Sequence, residues 1–212
     1  MESVPQTIKP LLQTPVTGIR LLIISYQLFS ALAHLHCQGT VHRDVKPDNI
    51  LFNKDTNAVY LTDFGHATHA GRASPVQLIP RYRAPELLAG STRYTAAADI
   101  WAVGVLLVEL CRGGYLFPDC PDPALQLLNV AALFAPSGKL VVNDTVIPCL
   151  PAIAIEDLIP DCPVALARIL GRCLKWHERS RPTAAEIIKM PSWKGLKAMA
   201  LAQAMPCPRW VP

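Results

Sequence analysis

The sequence predicts a mainly helical domain, built around a buried central helix and carrying a short β-hairpin. Three observations predict it. From Gly18 to Cys37, Leu21, Ile24, Leu28, Leu32 and Leu35 recur at spacings of three and four, the period of a core-facing helix. From Thr95 to Cys111 the chain is apolar nearly all round, as a helix at the centre of a domain must be. Two short apolar runs, Asn49–Phe52 and Val59–Thr62, flank the turn-forming segment Asn53–Asn57, which reads as a hairpin.

The elements follow in order. Residues 1–17 are expected to be irregular, broken by Pro5, Pro10 and Pro15. Thr17 is placed to cap the first helix and Gly39 to stop it. Leu22, Tyr26 and Phe29 make a second apolar stripe on it. After the hairpin, Asp63 to Pro85 shows little periodicity and reads as a long loop, the kind that usually carries function. Thr95 is placed to cap the central helix, which ends at Gly113-Gly114. Further helices are expected over Pro123–Ala135 and Pro163–Trp176, and the capping box Thr183-Ala-Ala-Glu186 opens a last one.

Composition narrows the function classes. Hydrophobic residues make up 51% and charged residues 17%, which excludes a disordered chain. A net charge of +4 without a long basic run argues against a nucleic-acid partner. No uninterrupted apolar run reaches the roughly 20 residues of a membrane span, and no signal peptide is read, so no membrane partner is expected. Seven cysteines without a C-x-x-C pair read as reduced thiols, and the expected location is cytoplasmic or nuclear. The histidines at 34, 36, 66, 69 and 177 read as structural or surface residues.

The chemistry-bearing stretch is His42-Arg-Asp-Val-Lys-Pro-Asp-Asn49, followed by Asp63-Phe-Gly65 and Ala84-Pro-Glu86. A hairpin brings its two ends together, so Asn49 before one strand and Asp63 after the other can converge with Asp44 and Lys46. Two oxygen donors, Asn49 and Asp63, suit Mg²⁺, which takes few protein ligands plus phosphates. Asp44 can accept a hydroxyl proton, and Lys46 can neutralise a transferring phosphate.

These motifs resemble the C-terminal lobe of a eukaryotic protein kinase over about residues 17–192. The resemblance implies transfer of the ATP γ-phosphoryl group to Ser or Thr of a protein substrate, with ATP and Mg²⁺ as cofactors. It assigns Asp44 to orienting the nucleophile and Lys46 to the phosphate. It assigns Asn49 and Asp63 to the metal, and Leu51 to the adenine floor. It implies structural roles for His42 and Phe64 in a hydrophobic spine, Asp99 as a brace for the catalytic loop, and Glu86 paired with Arg181. Thr17-Gly-Ile-Arg20 and Tyr82–Leu88 look like the cyclin-dependent-kinase branch. There Arg83 would shape a pocket for proline after the target residue. Ser74 would be the regulatory phosphosite, held by Arg43, and a cyclin-like or kinase partner is possible.

Several features depart from the family pattern. There is no G-x-G-x-x-G and no V-A-I-K-like lysine. The family's strand-rich N-terminal lobe needs about 70 residues, and 16 precede Thr17. Ile79 stands where a threonine is usual, Thr68 where an arginine would help hold a phosphate, and Pro80-Arg81 replaces a Leu-Trp-like pair. The expected organisation is an irregular segment 1–16, a partial kinase domain 17–192 and a tail 193–212. The expected function is a truncated Ser/Thr kinase, inactive alone; the alternative is a non-catalytic C-lobe that binds protein partners. A small-molecule phosphotransferase is disfavoured because the Ala84-Pro-Glu86 segment and its arginine are both present.

Overall fold

The computed structural model describes residues 4–72, 80–136, 138–142, 145–149 and 152–193, with side chains described outside 138–149 and residue 192. Its axis is helix α3, Ala96–Arg112, whose residues Ala98 to Cys111 are all buried. A helix apolar on every face needs neighbours on every face, and they are found. Helix α1 (Gly18–Cys37) packs on one side and α6 (Val164–Cys173) on another, with α7 (Ala184–Lys189) against α1. The leucine stripe of α1 is at most 2% exposed, so this helix, though long and apolar enough to cross a membrane, spends that surface on the core. Gly104 of α3 admits α6, since a Cβ there would lie 3.0 Å from Leu174 and 3.1 Å from Cys173. The short helices α2 (Pro85–Leu88) and α5 (Ile155–Leu158), and α4 (Pro123–Phe134), complete the lobe. Asp122 caps α4 by accepting from the Ala124 N–H at 2.8 Å.

The expected hairpin is present as β3 (Ile50–Phe52) and β4 (Val59–Leu61), antiparallel with Leu51 opposite Tyr60. A strand of one hairpin leaves an open edge. Here β1 (Gln6–Thr7) closes it, with Thr7 opposite Leu51, and the Ile8 N–H donates to the Ile50 carbonyl at 2.9 Å. The N-terminal segment is therefore not irregular as its prolines suggested. It forms β1 and a 3-10 helix at Lys9–Gln13, and it buries Ile8, Leu12 and Val16. Pro10 starts that helix, where its missing N–H costs nothing.

Other expectations need correction. Neither Thr17 nor Thr95 caps its helix through the side chain; the Thr95 hydroxyl donates to Glu178 at 3.2 Å instead. The helix expected over Pro163–Trp176 is shorter at both ends. The long loop after Asp63 contains β5 (Thr68–His69), paired with β2 (Thr40–Val41), and a 3-10 turn at Pro80–Tyr82. A second hairpin, β6 (Gly138–Val142) with β7 (Thr145–Cys149), was not read at all. The boundary drawn at 192 omits Trp193, which is 1% exposed, packs its ring at a tilt against Tyr26 and donates its indole N–H to the Ile187 carbonyl. Ser74, Ile79 and the tail beyond Trp193 lie outside the described residues.

Gly113 ends α3 with φ +67, and a Cβ there would meet the Pro15 nitrogen at 2.4 Å. The same turn receives the N-terminal segment, whose Val16 N–H donates to the Leu110 carbonyl at 2.8 Å. Neighbouring Gly114 has nothing within 4 Å of its would-be Cβ. Gly113→Ala is therefore expected to cost at least about 2 kcal/mol, combining left-handed strain with a backbone clash. In thermal melts this is a fall of about 4–8 °C. Gly114→Ala should stay near wild type; equal melting of the two variants would refute the assignment.

Candidate functional site

The site begins where α1 ends. After the turn at Gly39, β2 leads into His42-Arg43-Asp44, and this loop is gripped from below by α3. The carboxylate of Asp99, 2% exposed, accepts the His42 N–H at 2.8 Å on one oxygen and the Arg43 N–H at 2.9 Å on the other. His36 bonds to the first oxygen as well, at 2.8 Å. Burial pushes the Asp99 carboxyl up, but the bond and charge of His36 and the nearby His42 outweigh it, so it is held below its ordinary range. Held this way, Arg43 adopts φ +73. Left-handed backbone at a non-glycine costs on the order of 1–3 kcal/mol and survives only where surrounding bonds impose it.

That loop turn delivers Asp44 and its neighbours. One Asp44 oxygen accepts from Lys46 Nζ at 2.7 Å and from Asn49 Nδ2 at 2.8 Å. Asn49 Nδ2 also donates to the Asp44 carbonyl at 2.9 Å, which fixes its amide orientation. The second Asp44 oxygen and Asn49 Oδ1 have no hydrogen-bond partner among the described residues. The hairpin then brings Asp63 alongside: the Thr62 N–H donates to the Asn49 carbonyl at 2.9 Å. Asp63 is itself left-handed, φ +59, with one oxygen accepting from the Gly65 N–H at 3.2 Å. Both Asp44 and Asp63 act electrostatically on His42. Burial lowers the His42 pKa against those charges, keeping a neutral ring that bonds to the Thr62 carbonyl and meets Phe64 edge-on at 4.9 Å. Leu51 is half-buried at the middle strand of the three-stranded sheet. The structure thus joins Asp44, Lys46 and Asn49 by side-chain hydrogen bonds and brings Asp63 to the strand end beside Asn49. The cluster holds a cation and two spare oxygens, of which the Asp44 oxygen can act as proton acceptor.

A second cluster braces the first. Arg181 spends all five N–H groups: a two-pronged pair on Glu86 at 2.7 and 2.8 Å, and the carbonyls of Ala97, Lys175 and Trp176. Its guanidinium lies 5.0 Å from the centre of the Trp101 ring. Arg43 lies over Tyr94 at 4.4 Å, and Arg83 faces the same tyrosine electrostatically. Arg81 covers Tyr115 and reaches Asp119 at 3.4 Å.

The family described as Protein kinase domain matches residues 3–193. The chain belongs to the protein kinase family. It is 40% identical over 219 aligned residues to "Protein kinase gsk3" of Schizosaccharomyces pombe, covering 93% of this chain and 55% of that relative. It is 45% identical over 107 residues to "Glycogen synthase kinase 1" of Pyricularia oryzae, covering 49% and 27%. It is 35% identical over 150 residues to "Protein kinase MCK1" of Saccharomyces cerevisiae, covering 66% and 39%. The chain spans about half the length, or less, of these curated relatives. The likeness to the cyclin-dependent branch and these relatives fit one broad group of Ser/Thr kinases. The match begins at residue 3, so the kinase domain includes the segment that buries Ile8 and Leu12.

Sequence reading missed three contributors to this kinase lobe. His36 is structural, as expected, but its partner is Asp99, 63 residues away, which no local spacing reveals. Lys9 forms an ion pair with Asp48 of the catalytic loop, tying the N-terminal segment to the site. Glu109, fully buried in α3, accepts the Tyr82 hydroxyl at 2.6 Å and the Leu116 N–H at 3.0 Å, and so anchors the end of the segment before Glu86. An acid inside an apolar helix was the available signal.

Burial pushes the Glu109 carboxyl up to about 6, against the opposing hydrogen bond from Tyr82. The folded state thus holds this proton more tightly than the unfolded chain, whose value is near 4.5. Stability from Glu109 is therefore present below pH 4.5 and lost as pH rises through 6, by about 2 kcal/mol in all. His42, with its pKa lowered, acts in the opposite sense over an overlapping range, so the difference between two proteins isolates the effect. Glu109→Gln is expected to match wild type near pH 4.5 and to gain on it by about 2 kcal/mol near pH 7. Parallel urea-unfolding profiles across that range would contradict it.

Proposed function

We propose that this chain supplies the catalytic-loop half of a Ser/Thr protein kinase site. The observation that carries the reading is the convergence of Asp44, Lys46, Asn49 and Asp63, with one Asp44 oxygen and Asn49 Oδ1 unengaged among the described residues. The side-chain oxygens of Asn49 and Asp63 form a two-residue donor set that fits Mg²⁺, which completes its shell with phosphates and water. Bound Mg·ATP would supply the γ-phosphoryl group and neutralise charge on it. Asn49 and Asp63 would hold the metal, with Leu51 beneath the adenine. The chain's own residues do the rest. The spare oxygen of Asp44 accepts a hydrogen bond from a substrate hydroxyl and orients it for in-line attack. Lys46, anchored on the other oxygen at 2.7 Å, presents its remaining N–H groups to the phosphate. Arg83 lines the substrate side, and Arg43 would engage a phosphorylated Ser74.

These 212 residues hold no G-x-G-x-x-G and no V-A-I-K-like lysine. With one wall only, the phosphates stay hydrated and each charge interaction is screened. Loss of a single preorganised donor costs ~10²–10³ in rate, and here a whole loop of them is outside the chain. The second reading is a non-catalytic C-lobe that binds protein partners, and it is separated from the first by whether phosphate is transferred once that loop is supplied.

The isolated chain is expected to give no Mg·ATP-dependent thermal shift and no transfer to a Ser/Thr peptide mixture. Residues 3–193 joined behind the N-terminal half of the S. pombe relative's kinase domain should transfer phosphate. Asp44→Asn should lower that rate by about 10²–10³. A folded but inert chimera would overturn the catalytic reading in favour of the second. A clear Mg·ATP shift on the isolated chain would overturn the claim that it is inactive alone.

A further inference from the structure

An open trough runs between α5 and α6. Phe134, Ile155, Leu174 and Trp176 contribute its apolar lining, and Arg168, Arg172 and Lys175 its charge. Trp176 also walls a second recess with Pro85, Ala89 and Arg179, which extends the trough toward α2. We propose that this trough docks an extended, acidic peptide segment of a partner protein, one that carries carboxylates at alternate positions and at least one large apolar side chain.

The trough is preformed. Arg181 pins the Trp176 carbonyl at 3.0 Å, and the Ile153 N–H ties the opposite lip to the Leu133 carbonyl at 2.9 Å. Gly171 lets α5 close on α6, since a Cβ there would sit 3.2 Å from Ile155. Its charge is unspent. Arg168, Arg172, Lys175 and Arg179 are exposed, and none pairs with a carboxylate among the described residues. Glu186, which feels Arg172 electrostatically, is engaged in the Thr183 capping box. Glu86 is consumed by Arg181, and Glu178 accepts from Thr95, leaving Glu156 as the uncommitted acid of the lining.

Spacing selects the form of the ligand. Arg168 and Arg172 are four residues apart on α6, about 6 Å along its axis. Alternate side chains of an extended strand repeat every ~6.8 Å, so carboxylates at i and i+2 can each meet one guanidinium, the pairing arginine makes best. Apolar walls and an exposed Ile153 lip (39%) favour a peptide over a nucleic acid, which would leave that surface unmatched. The chain's own residues 194–212 carry Lys194, Lys197 and Arg209 and no acid, so they are the wrong sign to fill the trough.

The test is fluorescence anisotropy with a labelled twelve-residue peptide carrying Glu at alternate positions and Leu and Phe among serines between them. Saturable binding is expected, weakening as salt rises. Arg168→Glu/Arg172→Glu should weaken it at least tenfold, Arg168→Ala/Arg172→Ala should weaken it less, and Ile153→Asp should weaken it several-fold, all with wild-type melting. Replacing Leu and Phe in the peptide by Ser should also weaken it several-fold. No saturable binding by the folded chain would overturn the proposal, as would binding indifferent to the arginine variants. Equal binding of the all-Ser peptide or of a single-stranded oligonucleotide would mark a generic polyanion surface and also overturn it. Binding seen only after deletion of residues 194–212 would identify the chain's own tail as the occupant, with the same consequence.

Discussion

The grip of Asp99 on the catalytic loop is the constraint on which the site depends. One carboxylate, buried in the most enclosed helix of the lobe, takes the amides of His42 and Arg43 and the ring of His36. It satisfies two backbone donors that have no strand or helix partner, and it forces Arg43 into a conformation the residue would not choose. Everything that follows in sequence inherits that turn. Asp44 faces Lys46 and Asn49 because the residue before it is left-handed, and Asn49 in turn starts the strand that returns the chain to Asp63.

The lobe is thus a rigid base with a polar edge. Helix α3 gives its apolar length to packing and its two buried acids, Asp99 and Glu109, to opposite tasks. Asp99 steadies the catalytic loop. Glu109 steadies Tyr82, at the close of the segment that leads to Glu86. Arg181 ties that region to the C-terminal helices with a complete set of five hydrogen bonds. Arg181 is the wholly buried member of its pair with Glu86, so loss of the carboxylate would strand a guanidinium away from water.

How much of this could be read from residues alone follows from how local each signal is. The convergence of Asp44, Asn49 and Asp63 was legible because a hairpin must bring its ends together, whatever the rest of the fold does. The α1 and α3 helices were legible because their apolar period runs for many turns. Glu86 with Arg181 lies 95 residues apart and was reached only through family resemblance. His36 with Asp99 was not reached, because a histidine's partner across a fold leaves no mark on its neighbours. Thr95 satisfied the rule for a cap, but its hydroxyl is turned to Glu178, 83 residues on, and accepts from no N–H of the helix start. Pro5 and Pro10 masked the N-terminal strand, whose existence is decided by the open edge of β3. The sequence between β6 and β7 pairs two turn-favouring residue types, Asn143 and Asp144, between apolar runs, a local hairpin signal in the residues themselves.

The most direct measurement of the central constraint is amide hydrogen exchange on Asp99→Asn, which keeps the volume but removes the charge and one acceptor. The amides of His42 and Arg43 are expected to exchange at least tenfold faster than in wild type, while amides in the middle of α3 keep their protection. Unchanged exchange at His42 and Arg43 in a folded variant would mean that the catalytic loop holds its shape without Asp99.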